Sequence, residues 1–328
     1  MNTSTIVKPN GPPLAKASAS KMSLDNTEDG IIESPMRILI AGAEKIGKST
    51  FAAASPSPIF MGTDRGTVHL NIKRLPSPDN FKEVLEGLHE VESRGMAKGF
   101  RTLVIDPLNW FEAMLVADVL GDSGKSLNAW GSGYGAGAQA VMDRWRTFRS
   151  AIERVWMAGM NVIITAHVHV KKFEDPEGPG YERYELAMGK EPAGLFKQWV
   201  DCILFVRQDA FGKIDPVTKK VKATGSNTRM IYTEKSPAYD AGNRWCLPPE
   251  IPLSWRAFAE AYANGVERRN VLLAEIDVGL AELNDPEITK KVRGWLFEPQ
   301  ANVAEIANAV AAKVGELRGG AEGAGAGT

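Results

Sequence analysis

Cysteine is nearly absent from this sequence. Cys202 and Cys246 are the only two, far apart and without a metal-ligand spacing. That excludes a disulfide framework and predicts reduced thiols in an intracellular compartment. Net charge is just as scarce: 39 Lys and Arg against 40 Asp and Glu leave a formal charge of -1. A balanced chain is not a bulk-charge coat for nucleic acid, although local basic patches remain open to it. Long apolar runs are missing as well. Stretches such as Arg101–Ile105 and Asn161–Ala166 have strand length and are too short to cross a bilayer. Lys8, Lys16 and Lys21 near the start are followed by no apolar h-region, so no signal peptide is expected, no membrane partner either, and the expected compartment is the cytoplasm.

What is present is enough material for a core. The chain has 328 residues, 44% of them hydrophobic, which suits one large domain with appendages. Residues 1–35, rich in Ser, Pro, Ala and Asn, and the Gly/Ala tail 319–328 are expected to be disordered. Between them short apolar runs alternate with helical stretches, the pattern of an α/β fold with a mostly parallel sheet flanked by helices. RILIA (37–41), PIFM (58–61), TLVID (102–106), NVIITA (161–166), CILFV (202–206) and MIYT (230–233) read as strands. Phe81–Ser93 and Gln139–Met157 read as amphipathic helices, and a helical pattern returns from about Leu253. The reading places a core domain at 36–262 and a helical C-terminal region at 263–318.

The strongest chemical signal lies directly after the first strand. Gly42-Ala43-Glu44-Lys45-Ile46-Gly47-Lys48-Ser49-Thr50 satisfies G-x-x-x-x-G-K-[ST] at every fixed position. Such a loop curls its backbone N–H groups around phosphates, and a helix start behind it adds its dipole. Lys48 is expected to reach the β- and γ-phosphates of ATP, and the Ser49 hydroxyl to ligate Mg²⁺. Gly121–Ser126 also ends in Gly-Lys-Ser but lacks the earlier glycine, and reads as a plain loop. A second carboxylate for the Mg²⁺ shell is expected at a neighbouring strand end, where Asp106 closes TLVI. Asp64, after PIFM, is the candidate to orient an attacking water; a turn residue is the competing reading. His167 ends NVIITA and is expected to face the γ-phosphate as a sensor. With His169 it could instead form half of a metal site, but no third ligand is visible in the sequence.

Four segments together resemble a known family. RILIAGAEKIGKSTFAAASPSPIFMGTDRG (37–66), TLVIDPLNWF (102–111), NVIITAHVHVKKFEDPEGPGYERYE (161–185) and KSPAYDAGNRW (235–245) resemble phage RecA-like nucleotide-binding proteins. More narrowly, they resemble core-only recombinases and single-strand annealing proteins of the Sak type. The resemblance implies a RecA-like core, ATP and Mg²⁺ as cofactors, and single-stranded DNA as partner in annealing or recombination. It further implies a homo-oligomer, ring or filament, a phage single-strand-binding protein as a second partner, and a host-cell cytoplasmic setting. It assigns water activation to Asp64, the second carboxylate to Asp106, and the link between nucleotide state and a DNA loop to His167. Relatives carry Glu-Gly where this chain has Asp64-Arg65, a shorter acid that predicts slow hydrolysis.

Two loops would then face DNA. The first, Trp130–Gly137, offers Trp130 and Tyr134 for base stacking. The second, about 168–190, carries Lys171, Lys172, Phe173 and Arg183, yet Glu174, Asp175, Glu177, Glu182 and Glu185 outnumber its cations. That balance argues against a simple phosphate-tracking groove. A hairpin-like stretch with Lys213, Lys219, Lys220, Lys222 and Arg229 is more basic, and reads either as an electrostatic contact or as a solvated edge. Lys235 and Arg244 are candidates for a cation that reaches a neighbouring subunit's γ-phosphate, with surface salt bridging as the alternative. Two other functions stay open: a small-molecule kinase, for which no Arg-rich lid is evident, and an ATP-dependent switch acting on a protein partner.

Overall fold

The computed structural model describes residues 34–62, 67–174, 178–214, 221–296 and 303–324, with side chains described outside 209–214, 221–227 and 319–324. Nearly all of the expected N-terminal segment, Asp64, Lys219, Lys220, the side chains of Lys213 and Lys222, and the end of the tail lie outside these residues.

Strand β1 (Arg37–Gly42) is buried on both faces, as a central parallel strand between two helical layers must be. It runs through the glycine loop into α1 (Lys48–Ala53), followed by β2 (Pro58–Met61) and the short edge strand β3 (Lys73–Arg74). Helix α2 (Phe81–Arg94) starts where Asn80 accepts the Glu83 N–H and the Glu83 carboxylate reaches back to the Asp79 N–H. Then come β4 (Thr102–Ile105), α3 (Phe111–Leu120), α4 (Ala136–Met157), β5 (Asn161–Phe173) and β6 (Tyr181–Leu186). The chain continues with α5 (Lys190–Trp199), β7 (Cys202–Ile214), β8 (Val221–Tyr232), β9 (Gly242–Asn243) and β10 (Glu250–Pro252). Three helices close it: α6 (Trp255–Leu283), α7 (Pro286–Leu296) and α8 (Val303–Ala324). Among the described residues no helix is long and apolar enough to cross a membrane.

The strands lie in the order β10-β8-β7-β1-β5-β4-β2-β3. From β7 through β3 all neighbours are parallel, whereas β8 and β10 add antiparallel strands at one edge. This mostly parallel, helix-flanked sheet is the α/β architecture expected from the sequence. Alternation along each strand divides its side chains between two cores. Leu39, Leu103, Ile105, Val162 and Ile164 pack under α2–α5, while Ile38, Ile40, Val104 and Ile163 face α1 and α6. The strand order reverses beside β1, so the crevice at its carboxyl end is where a ligand is held in such sheets.

Two expectations need correction. The segment 168–190 is no loop: β5 continues to Phe173 and pairs antiparallel with β6, from Val168 opposite Leu186 to Phe173 opposite Tyr181. The boundary placed at 262 falls inside the 29-residue helix α6. Its first turns pack Trp255 and Phe258 against Phe51 of α1, and its later residues Ile276 and Leu280 join α7 and α8 in a separate cluster. Residues Pro35–Thr328 accordingly form one compact unit.

Candidate active site

The glycine loop sits at the carboxyl end of β1, and its first glycine has no room for a side chain. A Cβ on Gly42 would lie 2.7 Å from the Val206 carbonyl oxygen of β7. Gly47 occupies φ 113°, a conformation that side-chain-bearing residues rarely adopt. Lys45 is also left-handed, at φ 59°, and the two positive-φ residues curl the backbone into a concave turn of the kind that binds anions.

Lys48 is buried within that turn, 4% exposed. Its ammonium donates to the carbonyls of Gly42 at 2.9 Å and Ala43 at 2.7 Å, and lies 3.2 Å from His167 Nδ1. Desolvation lowers its pKa to about 8, against the opposing pull of the Asp106 and Glu44 carboxylates. An incoming phosphate would restore the missing negative charge.

Asp106 follows β4, next to that lysine in the field it feels, and is 6% exposed. Thr165 of β5 donates its hydroxyl to Asp106 Oδ1, and Oδ2 is buried without a hydrogen-bond partner among the described residues. A buried carboxylate oxygen with no donor fits a cation ligand. With the half-buried Ser49 one residue past Lys48, the donor set suits Mg²⁺: hard oxygens beside a phosphate cradle. His167 stands opposite Gly42 in the β1–β5 register, and its backbone N–H donates to Asn109 Oδ1 at 3.1 Å.

Two contributors escaped the sequence reading, and a third, Arg229, was expected only as a basic residue of the hairpin-like stretch. Thr165 and Asn109 hold Asp106 and His167, and Arg229 donates from β8 to the Ile46 carbonyl of the loop at 2.9 Å. Asn109 stands three residues after Asp106 and could have been suspected. The others required knowledge of the strand pairing. A cleft of about 510 Å³ borders the loop's outer wall, lined by Glu44, Lys45, Tyr184, Arg207, Gln208 and Arg229 among others.

The remaining expected site residues scatter. Arg244 pairs with Asp201 at 3.2 Å, beside the 2.6 Å Arg37–Asp201 bridge. Arg37 begins β1 and the phosphate loop follows its end, so a six-residue strand, roughly 17 Å, separates this pair from the phosphates of its own chain. Arg244 is therefore no part of its own chain's site. Lys235 is exposed in the loop after β8. Helices α3 and α4 pack antiparallel, with Phe111 against Phe148 and Asp118 paired to Arg144, and α4 leads down to the start of β5. The connection between them thus rises past the carboxyl edge of the sheet. Tyr134 there is fully exposed at 104%, whereas Trp130 is half-buried and packs against the core. In the β5–β6 hairpin Lys171 pairs with Glu185 and Lys172 with Glu174, and Arg183 with Asp240, its guanidinium also lying over the Phe173 ring. His169 is exposed.

No curated protein matches the chain. Among solved structures, a KaiC-like protein of the hyperthermophilic archaeon Pyrococcus horikoshii OT3 is similar at 11% identity and a TM-score of 0.35, over 67% of this chain and 85% of that one. Residues 34–245 match the model of the AAA domain family. A phosphate loop built on β1, a buried lysine within it and an acid at the end of β4 agree with that match, and the chain belongs to the AAA domain family of P-loop nucleotide-binding proteins.

Proposed function

We propose that this chain is a Mg²⁺-dependent ATPase whose nucleotide state is passed through His167 to the β5–β6 hairpin, and that the ligand held at that edge is single-stranded DNA. The carrying observation is the 3.2 Å contact between Lys48 Nζ and His167 Nδ1. One residue thereby touches the phosphate-binding lysine and opens the part of β5 that projects as a hairpin. Lys48 would hold the phosphates, and Ser49 and Asp106 would hold Mg²⁺. When bound, Mg²⁺ supplies positive charge against the phosphate oxygens as the terminal bond breaks. Thr165 keeps Asp106 oriented, and Asn109 fixes the backbone at His167. Asp64, by resemblance, is the group that orients water. Oligomeric assembly would bring Lys235 to a neighbour's phosphates; Arg244, held by Asp201, is the weaker choice.

The DNA half of the proposal rests on the resemblance to Sak-type phage recombinases and on the exposed Tyr134 at the same edge of the sheet. A second reading, a nucleotide-dependent switch for a protein partner, is favoured by the paired cations. Lys171, Lys172 and Arg183 each have an acidic partner, which weakens a phosphate-tracking surface. Retention of a labelled oligothymidine by the full chain, with and without ATP and Mg²⁺ across a salt series, separates the two. Binding that needs ATP and weakens with salt is the expected result. No retention under any condition, with ATP binding intact, rejects DNA and leaves the protein-partner switch.

A further inference from the structure

The outer wall of the phosphate loop is held by a residue far away in sequence. Arg229 Nη1 donates to the Ile46 carbonyl oxygen at 2.9 Å across 183 residues. The same guanidinium closes over the next residue: a Cβ on Gly47 would meet Nη1 at 2.9 Å and the Leu253 side chain at 3.1 Å. Arg229 is anchored in turn, since its carbonyl accepts the Leu253 N–H at 3.0 Å and it lies opposite Gln208 of β7. Its donor is therefore delivered by the sheet and does not depend on the loop's own conformation.

The Ile46 C=O and the Gly47 N–H belong to one planar trans peptide and point in opposite directions. Drawing the oxygen outward to Arg229 turns the Gly47 amide hydrogen toward the inside of the turn. Lys48 works from the inner side, collecting the Gly42 and Ala43 carbonyls on one ammonium. A cationic donor on the oxygen also polarises the peptide, so its N–H becomes a stronger donor.

We infer that Arg229 is a positioning residue for nucleotide phosphate: by fixing the Ile46–Gly47 peptide it presents the Gly47 amide to the β-phosphate before nucleotide arrives. This rests on the reading of the loop as a nucleotide site, and it gives Arg229 a role apart from the DNA contact expected of the hairpin's basic residues. The interaction acts on ground state and transition state alike, so its loss changes binding and leaves the chemical step alone.

The test uses the full chain with mant-ADP as fluorescent probe, comparing wild type, Arg229→Gln, Arg229→Lys and Lys48→Ala. Arg229→Gln is expected to weaken mant-ADP by about tenfold, and inorganic pyrophosphate by the same factor in competition, because the amide acts on phosphate and not on the base. KM for ATP rises in parallel while kcat stays within about twofold, and Arg229→Lys recovers most of the loss. A residue that only stabilised the fold would lower the melting temperature without this split. If Arg229→Gln does not fold, Arg229→Lys decides alone: its ammonium keeps the charge but not the reach of the guanidinium, so a loss of about threefold is expected, and an unchanged affinity overturns the inference. Wild-type binding with unaltered affinity in Arg229→Gln overturns it alone. Failure of the wild type to bind mant-ADP overturns the nucleotide-site reading beneath it.

Discussion

At the scale of single residues, the site is a problem of charge held out of water. Lys48 donates to two carbonyls and feels Asp106 and Glu44, yet burial still brings its pKa down to about 8. The unfolded chain, near 10.5, binds that proton more tightly, so the unliganded protein gains stability as pH rises from about 8 to 10.5. Nucleotide reverses the balance, because its phosphates favour the charged ammonium. Affinity for mant-ADP should hold steady up to about pH 8 and then fall, approaching tenfold per pH unit. A pH series of equilibrium titrations checks this, and an affinity still level at about pH 9.5 would contradict it. Asp106 gives the complementary case. Thr165→Val leaves a second buried carboxylate oxygen without a donor, which costs about 1–3 kcal/mol in urea unfolding. Mg²⁺ should restore part of that stability by ligating the exposed demand, and a variant as stable as wild type would show that the hydroxyl does not support the acid.

At the scale of elements, what could be read from the sequence was what a strand or loop encodes by itself. RILIA and TLVID are contiguous apolar runs because both faces are buried, and the glycine loop carries its geometry in its own spacing. The second half of β5 was not legible, because His169–Lys172 is continuously exposed, without the apolar run of a buried strand, and becomes a strand only through pairing with β6. The continuity of α6 was hidden for a different reason: its first turns serve the core of the sheet and its last turns serve α7 and α8, so no single apolar face runs its length. That second role has its own tight point. A Cβ on Gly279 would come within 2.6 Å of Val310 Cγ1 on α8. Gly279→Ala should therefore lower stability by about 1 kcal/mol despite the better helix propensity of alanine, and leave mant-ADP affinity within about twofold. Thermal melts and titrations on one preparation check both halves. A gain in melting temperature would mean that the helices yield easily.

At the scale of the whole molecule, the sheet collects at one edge what the sequence disperses. Asp106 and Thr165 are 59 positions apart, Lys48 and His167 119, and Ile46 and Arg229 183. Each partner on its own looked ordinary: a threonine within a strand, an arginine in a basic hairpin. The parallel register of β1, β4, β5 and β7, with β8 antiparallel on β7, makes them neighbours. The antiparallel pairing of β9 with β7 carries Arg244 to the amino edge, where Asp201 holds it. What unites the edge is a lysine that lies buried in the glycine loop on one side and touches a hairpin-bearing strand on the other. The most direct measurement of that arrangement is steady-state ATP hydrolysis by the full chain, with Mg²⁺ and with EDTA, for wild type and Lys48→Ala in parallel. Mg²⁺-dependent turnover that falls at least about a hundredfold in the variant is the expected result. Turnover that survives Lys48→Ala, or an absence of turnover in the wild type with or without oligothymidine, would contradict it.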